Sequence, residues 1–322
     1  MKKNEVAKKT SSHVLSKISN YVPILGLIIV VVVFAILTEG KTVSSVNLKI
    51  LTNQVILTAL VSIGAVFSFS CGAFDMSLSG SLCLSAIAGA LAGIKSNSMF
   101  VMILVTFCVS MTIALFKGFI AANLTLPIFI VTIIFSSFLS AIGLVLLGKE
   151  TTLSLGKIVT IKNMTVINVA FLCCFYLFAL IVFNYTKIGK SMKLQGGNLK
   201  AAIQSGINTK RNIILAFAMS GLGVALAAII TLLRTKTATA STGGSIGNDM
   251  IVAIVLGGMP LSGGSRSKIS AAIIGAATIT VLNNGLSVYG VSNDMIQIVR
   301  GIIFIGVVFI TSMSYRTKLL PR

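Results

Sequence analysis

The chain has 322 residues, of which 56% are hydrophobic and 10% are charged, and its mean hydropathy is +1.03. Soluble domains carry about 25% charged residues, so this composition excludes a soluble globular domain and indicates a polytopic membrane protein. The net charge of +20 comes from 26 basic and 6 acidic residues. In a membrane protein such an excess is typical of loops on the cytoplasmic side, and it does not by itself indicate nucleic-acid binding.

The apolar segments predict an all-α polytopic membrane protein with about ten transmembrane helices, within a range of eight to ten. We expect a basic cytoplasmic tail over 1–20, a transmembrane domain over 21–313 with a polar loop at 186–212, and a cytoplasmic tail over 314–322. The predicted spans are 21–38, 53–71, 76–94, 99–116, 127–147, 166–185, 213–233, 246–258, 269–286 and 294–313.

Two of these segments are predicted to be short or broken helices. The first break lies near 72–80, where two spans are almost continuous around a glycine, and the second is the segment 246–258, which is too short to cross a bilayer. Transporters often carry such discontinuous helices. The glycines to which we assign a structural role are Gly72, Gly80, Gly257, Gly258, Gly263 and Gly264.

The distribution of basic residues predicts the orientation. With ten spans and the N-terminus inside, 17 of the basic residues lie on the inside and eight on the outside, and Arg300 lies within the last span. Lys117 is counted as an inside loop residue because the fourth predicted span ends at residue 116. This bias places both termini and the loop at 186–212 in the cytoplasm.

A carboxylate and three hydroxyl groups stand between the second and third spans. Asp75 is followed by Ser77, Ser79 and Ser81 in a stretch that is otherwise small and apolar. An acid at membrane depth costs about 2.5–3.5 kcal/mol on insertion scales, so a specific role is expected. One interpretation is that Asp75 caps the third span; the other is that Asp75, Ser77 and Ser79 line a polar pathway. Both remain open.

The last span begins with Asp294 and Gln297, which are three residues apart and share a helix face, and Arg300 follows three residues further on. Gln297 is a candidate pathway residue, and an arginine inside a span is expected to pair or to reach the interface. The sequence contains no metal-ligand cluster, catalytic triad or nucleotide-binding loop, since Glu150 replaces the hydroxyl residue after Gly148-Lys149. We therefore expect no enzymatic activity, no metal and no cofactor on this chain.

The segment 187–211 is the one long polar stretch between apolar spans, and it carries six positive charges and no negative one. Asn198 is a good helix N-cap, Ala201 and Ala202 favour helix, and Gly206 is a natural stop. The segment therefore predicts a short helix on the aqueous side of the membrane.

Four stretches together resemble the permease subunits of ribose-type bacterial ABC importers, the class for monosaccharides, autoinducer-2 and galactofuranose. The resemblance covers about residues 50–313. The matching stretches are Gly-Ala-Phe-Asp75-Met-Ser-Leu-Ser-Gly80, Gly196-Gly-Asn-Leu-Lys-Ala-Ala-Ile-Gln-Ser-Gly-Ile207, Val255-Leu-Gly-Gly-Met-Pro-Leu-Ser-Gly-Gly264 and Leu282-Asn-Asn-Gly-Leu286. The last stretch adds Asn283 and Asn284 to the candidate pathway residues. Lys200 stands where the family has glutamate, and Ala73-Phe74 stand where the family has Gly-Ile.

The resemblance implies a transmembrane permease domain that moves a small polar solute, most simply a sugar, into a bacterial cell across the plasma (inner) membrane. It implies a second permease subunit, ATPase subunits that hold ATP and magnesium, and an extracytoplasmic solute-binding protein as partners, and no nucleic acid. It also implies a helix that couples this chain to the ATPase. The coupling residues would be Gly197, Asn198, Lys200, Ala201, Ala202, Gly206 and Ile207.

Three alternatives remain open at this point. The chain could be a nucleoside or branched-chain amino acid permease of the same superfamily, or a stand-alone transporter driven by an ion gradient. The second would need ion-coupling groups within the membrane, for which Asp75 and Asp249 are the candidates. The third is a membrane scaffold without transport.

Overall fold

The computed structural model describes residues 21–124, 126–160, 164–260 and 262–319, with side chains described as far as residue 309. The helices are α1 (Tyr21–Leu37), α2 (Ser45–Ser70), α3 (Leu78–Ser96), α4 (Met99–Asn123), α5 (Ile128–Leu147), α6 (Met164–Tyr185), α7 (Lys187–Gly197), α8 (Leu199–Gln204), α9 (Thr209–Thr235), α10 (Ile246–Leu256), α11 (Ile269–Val288) and α12 (Asn293–Leu319). The strands are β1 (Thr152–Ser154) and β2 (Thr237–Thr239), and 3₁₀ turns lie at Lys41–Val43 and Gly264–Arg266.

The prediction of an all-α polytopic membrane protein is confirmed. Among the described residues, seven helices are long and apolar enough to cross a membrane, and α1 and α10 are shorter apolar helices. In the part of the chain that the structure describes, the exception to the all-α pattern is the antiparallel pairing of β1 with β2, in which Leu153 lies opposite Ala238. The total of about ten spans stays a prediction.

Helices α2 and α9 form the centre of the bundle. Most of α2 from Ile56 onwards is buried, and so is most of α9 from Ala216 onwards. Small residues bring the two backbones together: a Cβ on Gly64 would lie 2.7 Å from the carbonyl oxygen of Met219. Helices α5 and α6 bury about a quarter of their apolar windows and expose large side chains such as Val145 and Val166, as expected for lipid-facing helices.

The bundle has two distinct ends. The loop end carries α7 and α8, together with the last turn of α2, the first turn of α1 and the 3₁₀ turn at Gly264–Arg266. The sheet end carries β1, β2, the start of α2 and the end of α11, where Asn47 and Asn284 exchange hydrogen bonds of 2.7 and 3.2 Å. Helix α2 begins at the sheet end and finishes at the loop end, so it runs the full length of the bundle.

Both predicted helix breaks are present. Residues 71–77, which we call the break segment, lead from α2 to α3 without helical structure, and Gly72 has a left-handed φ of +75°. Helix α10 has 11 residues, and its first turn meets the start of α3, where the Ser79 hydroxyl accepts a hydrogen bond of 3.0 Å from the Gly247 backbone N–H. Two broken elements thus meet inside the bundle, where backbone groups without partners would be costly.

Helix boundaries correct two expectations. Helix α4 continues to Asn123, so Lys117 is a buried helical residue and does not belong to an inside loop. The sequence prediction ends this span at residue 116 because a lysine after an apolar run usually marks the start of a loop. Helix α12 continues to Leu319, beyond the expected end at 313. The predicted tail over 1–20 and residues 320–322 lie outside the described residues.

Candidate functional site

The Asp75 carboxylate lies at the middle of a buried polar cluster. One oxygen, Oδ1, accepts hydrogen bonds from the backbone N–H of Ser77, at 2.9 Å, and from the Ser77 hydroxyl. The other oxygen, Oδ2, is 3.1 Å from Nζ of Lys117, and the side chains of Lys117 and Asp75 are 2% and 0% exposed. Asp75 is therefore one half of a buried ion pair.

Lys117 uses all three of its N–H donors in this cluster. Besides Asp75, its Nζ donates to the Ser77 hydroxyl and, at 2.9 Å, to the Ser81 hydroxyl. A buried ion pair is tolerated when extra hydrogen bonds satisfy both partners, and here they do. The cluster ties α4 to the break segment and to the first turn of α3.

Helix α5 holds the same segment from the other side. The Thr132 hydroxyl donates to the carbonyl oxygen of Phe74 at 3.1 Å and accepts from the N–H of Met76 at 3.0 Å. A Cβ on Gly80 would overlap the carbonyl oxygen of Ser136, so α3 and α5 touch backbone to backbone. The backbone polar groups of an irregular segment are thus satisfied by a side chain, as membrane burial requires.

A second ion pair joins α10 to α12. Nη1 of Arg300 lies 2.7 Å from Oδ1 of Asp249, and the two side chains are 11% and 10% exposed. Asn283 of α11 donates its amide to the same oxygen at 3.2 Å, and the Ser245 hydroxyl donates to Oδ2 at 2.7 Å. The expectation that Arg300 pairs or reaches the interface is met by an ion pair with a residue on another helix.

Two cavities adjoin this ion pair, and Arg300 lines both. A polar cavity of about 360 Å³ lies towards the sheet end, and its lining includes Thr58, Arg234, Asp249, Asn283 and Asn284. A more apolar cavity of about 550 Å³ lies on the other side of α10, and its lining includes Phe69, Phe74, Met76, Gln297 and Phe304. Both volumes fall in the range that holds small ligands.

The predicted pathway residues therefore separate into groups. Asn283 and Asn284 line the polar cavity and Gln297 lines the apolar one, so these three are near the same ion pair. Asp75 and Ser77 line neither cavity and face Lys117. Ser79 contacts the first turn of α10. The two interpretations of Asp75 are thus incomplete, because neither foresaw a buried cation.

The loop end presents α8 to solvent. The Asn198 side chain accepts a hydrogen bond of 3.1 Å from the N–H of Ala201, so the predicted cap is formed, and the helix ends before Gly206, whose φ is +74°. Ala202 is 3% exposed and holds α8 against the protein, whereas Leu199 and Ile203 are 53% and 56% exposed. Lys200, Ala201 and Gly206 are exposed, and Ile207 is partly buried.

Helix α7, which the sequence did not predict as a separate helix, supports α8. Lys193 of α7 places its Nζ 4.2 Å from the ring centroid of Phe183 and donates to Asn184, and partial burial lowers the pKa of its ammonium group. Gly197 joins α7 to α8 and contacts Gly264, where a Cβ would lie 3.0 Å from Cα of Gly197. The junction between α7 and α8 is therefore packed closely against the 3₁₀ turn at Gly264–Arg266.

The other predicted glycines lie at similarly close contacts. Gly263 and Gly264 have φ of +67° and +83°, and a Cβ on Gly263 would overlap the carbonyl oxygen of Phe69. Gly257 packs on the backbone of Ala271, and Gly258, at φ +87°, faces Pro23. These contacts connect α2, α10 and α11 at the loop end.

Sequence reasoning missed Lys117 and Asp249 as partners of the polar residues it selected. The available signal was energetic: an acid such as Asp75 inside an apolar run needs a cation, and few lysines lie near membrane depth. In the part of the chain that the structure covers, no group of three metal-ligating residues comes together.

Residues 47–308 match the family model described as the permease component of branched-chain amino acid transport systems. The chain is 28% identical over 291 residues to the ribose import permease protein of Bacillus subtilis (strain 168), covering 88% of this chain and 89% of that protein. It is 26% identical over 279 residues to the ribose import permease protein of Escherichia coli (strain K12), covering 82% and 85%. It is 25% identical over 361 aligned positions to the xylose transport system permease protein of Haemophilus influenzae (strain ATCC 51907 / DSM 11121 / KW20 / Rd), covering 91% and 96%. No solved structure matches significantly.

Proposed function

Because this chain belongs to the family of permease components of branched-chain amino acid transport systems, we propose that it is the membrane subunit of an ATP-driven importer for a sugar. The names of its relatives, which are ribose and xylose permeases, support a sugar. The polar cavity supports it too, since amides, hydroxyls and an ion pair surround a space of about 360 Å³. Small polar solutes are bound by a few convergent groups of this kind.

The observation that carries the ATP-driven part of this proposal is the exposed face of α8. Leu199 and Ile203 are four residues apart, so they lie on one face of the helix and form an apolar patch at the loop end. A short helix that offers apolar anchors to solvent is suited to a groove on another protein. We assign that groove to a separate ATPase subunit, which would hold ATP and magnesium, so this chain itself needs no enzymatic activity or cofactor.

The remaining partners follow from the same proposal. A second permease subunit, either a copy or a paralogue, completes the pathway, and an extracytoplasmic solute-binding protein delivers the sugar. The chain lies in the bacterial inner membrane with the loop end and both termini in the cytoplasm, which is supported by the basic residues of 187–211. Moving Lys117 from a loop into the bundle lowers the inside count by one and leaves the bias unchanged in sign.

The proposed function is tested by reconstituting the permease with its ATPase and binding protein in proteoliposomes. Radiolabelled D-ribose, D-xylose and D-galactose are supplied with the binding protein, with and without ATP on the ATPase side. We expect ATP-dependent accumulation of at least one sugar, which an ionophore that collapses ion gradients does not prevent. Uptake that needs an ion gradient and ignores ATP would refute the proposal.

A branched-chain amino acid is the second candidate solute. The family description and the larger cavity favour it, because Arg300 stands in a lining that is otherwise rich in phenylalanine and aliphatic residues. An arginine could bind the carboxylate of such a solute while the apolar wall takes its side chain. The same proteoliposomes supplied with L-leucine and its own binding protein decide between the two candidates, since each predicts uptake of one solute class alone.

The docking role of α8 is tested by Ile203→Glu. The substitution removes an apolar anchor from the proposed interface and would place a charge there, which costs about 2 kcal/mol or more, so ATPase affinity should fall by at least ~30-fold in a binding assay. The matched control is Thr151→Glu, which adds the same charge at an exposed position of the sheet end. Equal ATPase binding by both variants would contradict the docking role.

A further inference from the structure

We propose that Asp249, Asn283 and Arg300 form a binding site for the adjacent hydroxyl groups of a sugar, at the boundary between the two cavities. This inference rests on the proposed function, because it supplies the sugar with a place to bind. The three residues come from α10, α11 and α12, so the site lies where three helices meet.

The contacts at Asp249 hold the three side chains in fixed positions. Oδ1 of Asp249 accepts from Nη1 of Arg300 at 2.7 Å and from Nδ2 of Asn283 at 3.2 Å. Its other oxygen accepts from Ser245 alone among the described residues. A carboxylate has about four acceptor positions, so Oδ2 retains capacity for another donor.

Two polar atoms of the same group are buried without a hydrogen-bond partner in the described structure. They are Nε of Arg300, a donor, and Oδ1 of Asn283, an acceptor. A buried polar atom without a partner costs about 1–3 kcal/mol, so such atoms need an explanation. Nε and Oδ1 belong to side chains that line the polar cavity. The group therefore holds one unpaired donor, Nε of Arg300, one unpaired acceptor, Oδ1 of Asn283, and spare acceptor capacity at Oδ2 of Asp249.

A sugar matches this set of free groups better than a simple ion does. Each hydroxyl group is both a donor and an acceptor, so neighbouring hydroxyls can donate to Asp249 and Asn283 and accept from Arg300. A cation could use only the acceptors and would leave Nε of Arg300 unpaired, and an anion could use only Nε and would leave Oδ1 of Asn283 unpaired. Phe304 lines the cavity on the other side of Arg300 and offers an apolar wall to the carbon skeleton.

The position of the ion pair between the two cavities also affects how the solute would move from one cavity to the other. Arg300 lines both cavities, and its bond to Asp249 joins the half-helix α10 to α12 between them. A sugar that takes over hydrogen bonds from both side chains weakens this link from within. The same contacts that select the solute would then loosen the barrier that the solute must pass.

The test uses the reconstituted complex and the sugar that it transports among D-ribose, D-xylose and D-galactose, with the series of its monodeoxy analogues. The measured quantity is the ratio of kcat/KM for the sugar to that for each analogue, because this ratio does not depend on how much protein folds. Variants are Asp249→Asn and Asn283→Ala, and the second retains the ion pair. The matched control is Asn168→Ala, which removes an interhelical amide contact to Asn53 outside both cavities.

We expect wild type to prefer the sugar over at least one analogue by about 10- to 100-fold, the effect of a hydrogen bond to a charged group. Asp249→Asn and Asn283→Ala should each lower that ratio at least threefold, whereas Asn168→Ala should leave it unchanged. Wild-type ratios in both site variants, or the same loss in the control, would overturn the inference while leaving sugar import intact. Uptake of L-leucine and of no sugar would instead refute the proposed function.

Discussion

Replacing Lys117 with methionine tests how the buried ion pair stabilises the bundle. Exposed ion pairs contribute about 0–1 kcal/mol to stability. Lys117 and Asp75 are 2% and 0% exposed, so the larger energies of buried ion pairs apply to them. Methionine keeps most of the apolar volume and leaves the Asp75 carboxylate without its cation. Removing one partner of a buried pair costs about 3–5 kcal/mol, and we expect Lys117→Met to lose that much free energy of unfolding.

The double variant makes this prediction sharper. Asp75→Asn combined with Lys117→Met removes both charges and keeps an acceptor for the Ser77 N–H, so most of the lost stability should return. The assay is reversible unfolding in mixed micelles, with Lys210→Met as the control, since Lys210 is exposed and bonds to Asn123 alone among the residues that the structure describes. A loss below ~1 kcal/mol for Lys117→Met, or additive losses in the double variant, would show that the carboxylate is not a paired anion.

Two other substitutions probe the contacts of the break segment and α3. Thr132→Val keeps the side-chain shape but removes the hydroxyl that bridges the backbone groups of Phe74 and Met76. We expect about 1–3 kcal/mol of destabilisation in the same unfolding assay. A neutral result would mean that these backbone groups have other partners. Gly80→Ala should lower the free energy of unfolding by about 1–3 kcal/mol, because the new Cβ meets the Ser136 carbonyl. The control is Gly306→Ala, where the Cβ enters open space and the effect should be neutral or stabilising by up to ~1 kcal/mol. Equal effects of the two substitutions would contradict the close packing of α3 on α5.

Local features were predictable from the sequence because their causes are local. Asn198 forms the expected cap and Gly206 the expected left-handed stop, since both depend on a few adjacent residues. The helix breaks were also predictable, because glycines and an acid interrupt apolar runs at Gly72–Asp75 and because α10 is flanked by glycines. The membrane class followed from composition alone.

Pairings between distant residues were not predictable in this way. Hydropathy treats every lysine as a loop signal, so Lys117 was assigned to a loop, although its three hydrogen-bond partners lie on the break segment and α3. Arg300 was grouped with its neighbours Asp294 and Gln297, but its partner Asp249 lies on α10. Helix packing decides which charges meet, and a single sequence does not contain that geometry.

The two ion pairs occupy comparable places, and this explains why an apolar bundle keeps them. Asp75 lies in the break segment, and Asp249 lies in the first turn of α10, directly after the turn residues 240–245. Irregular backbone could adopt several arrangements in a membrane, and a buried charge restricts it to the one in which the charge is paired. The pair at Asp75 lies outside both cavities and fixes the break segment, while the pair at Asp249 adjoins both. The first therefore suits a structural tie, and the second suits a contact that a solute can open.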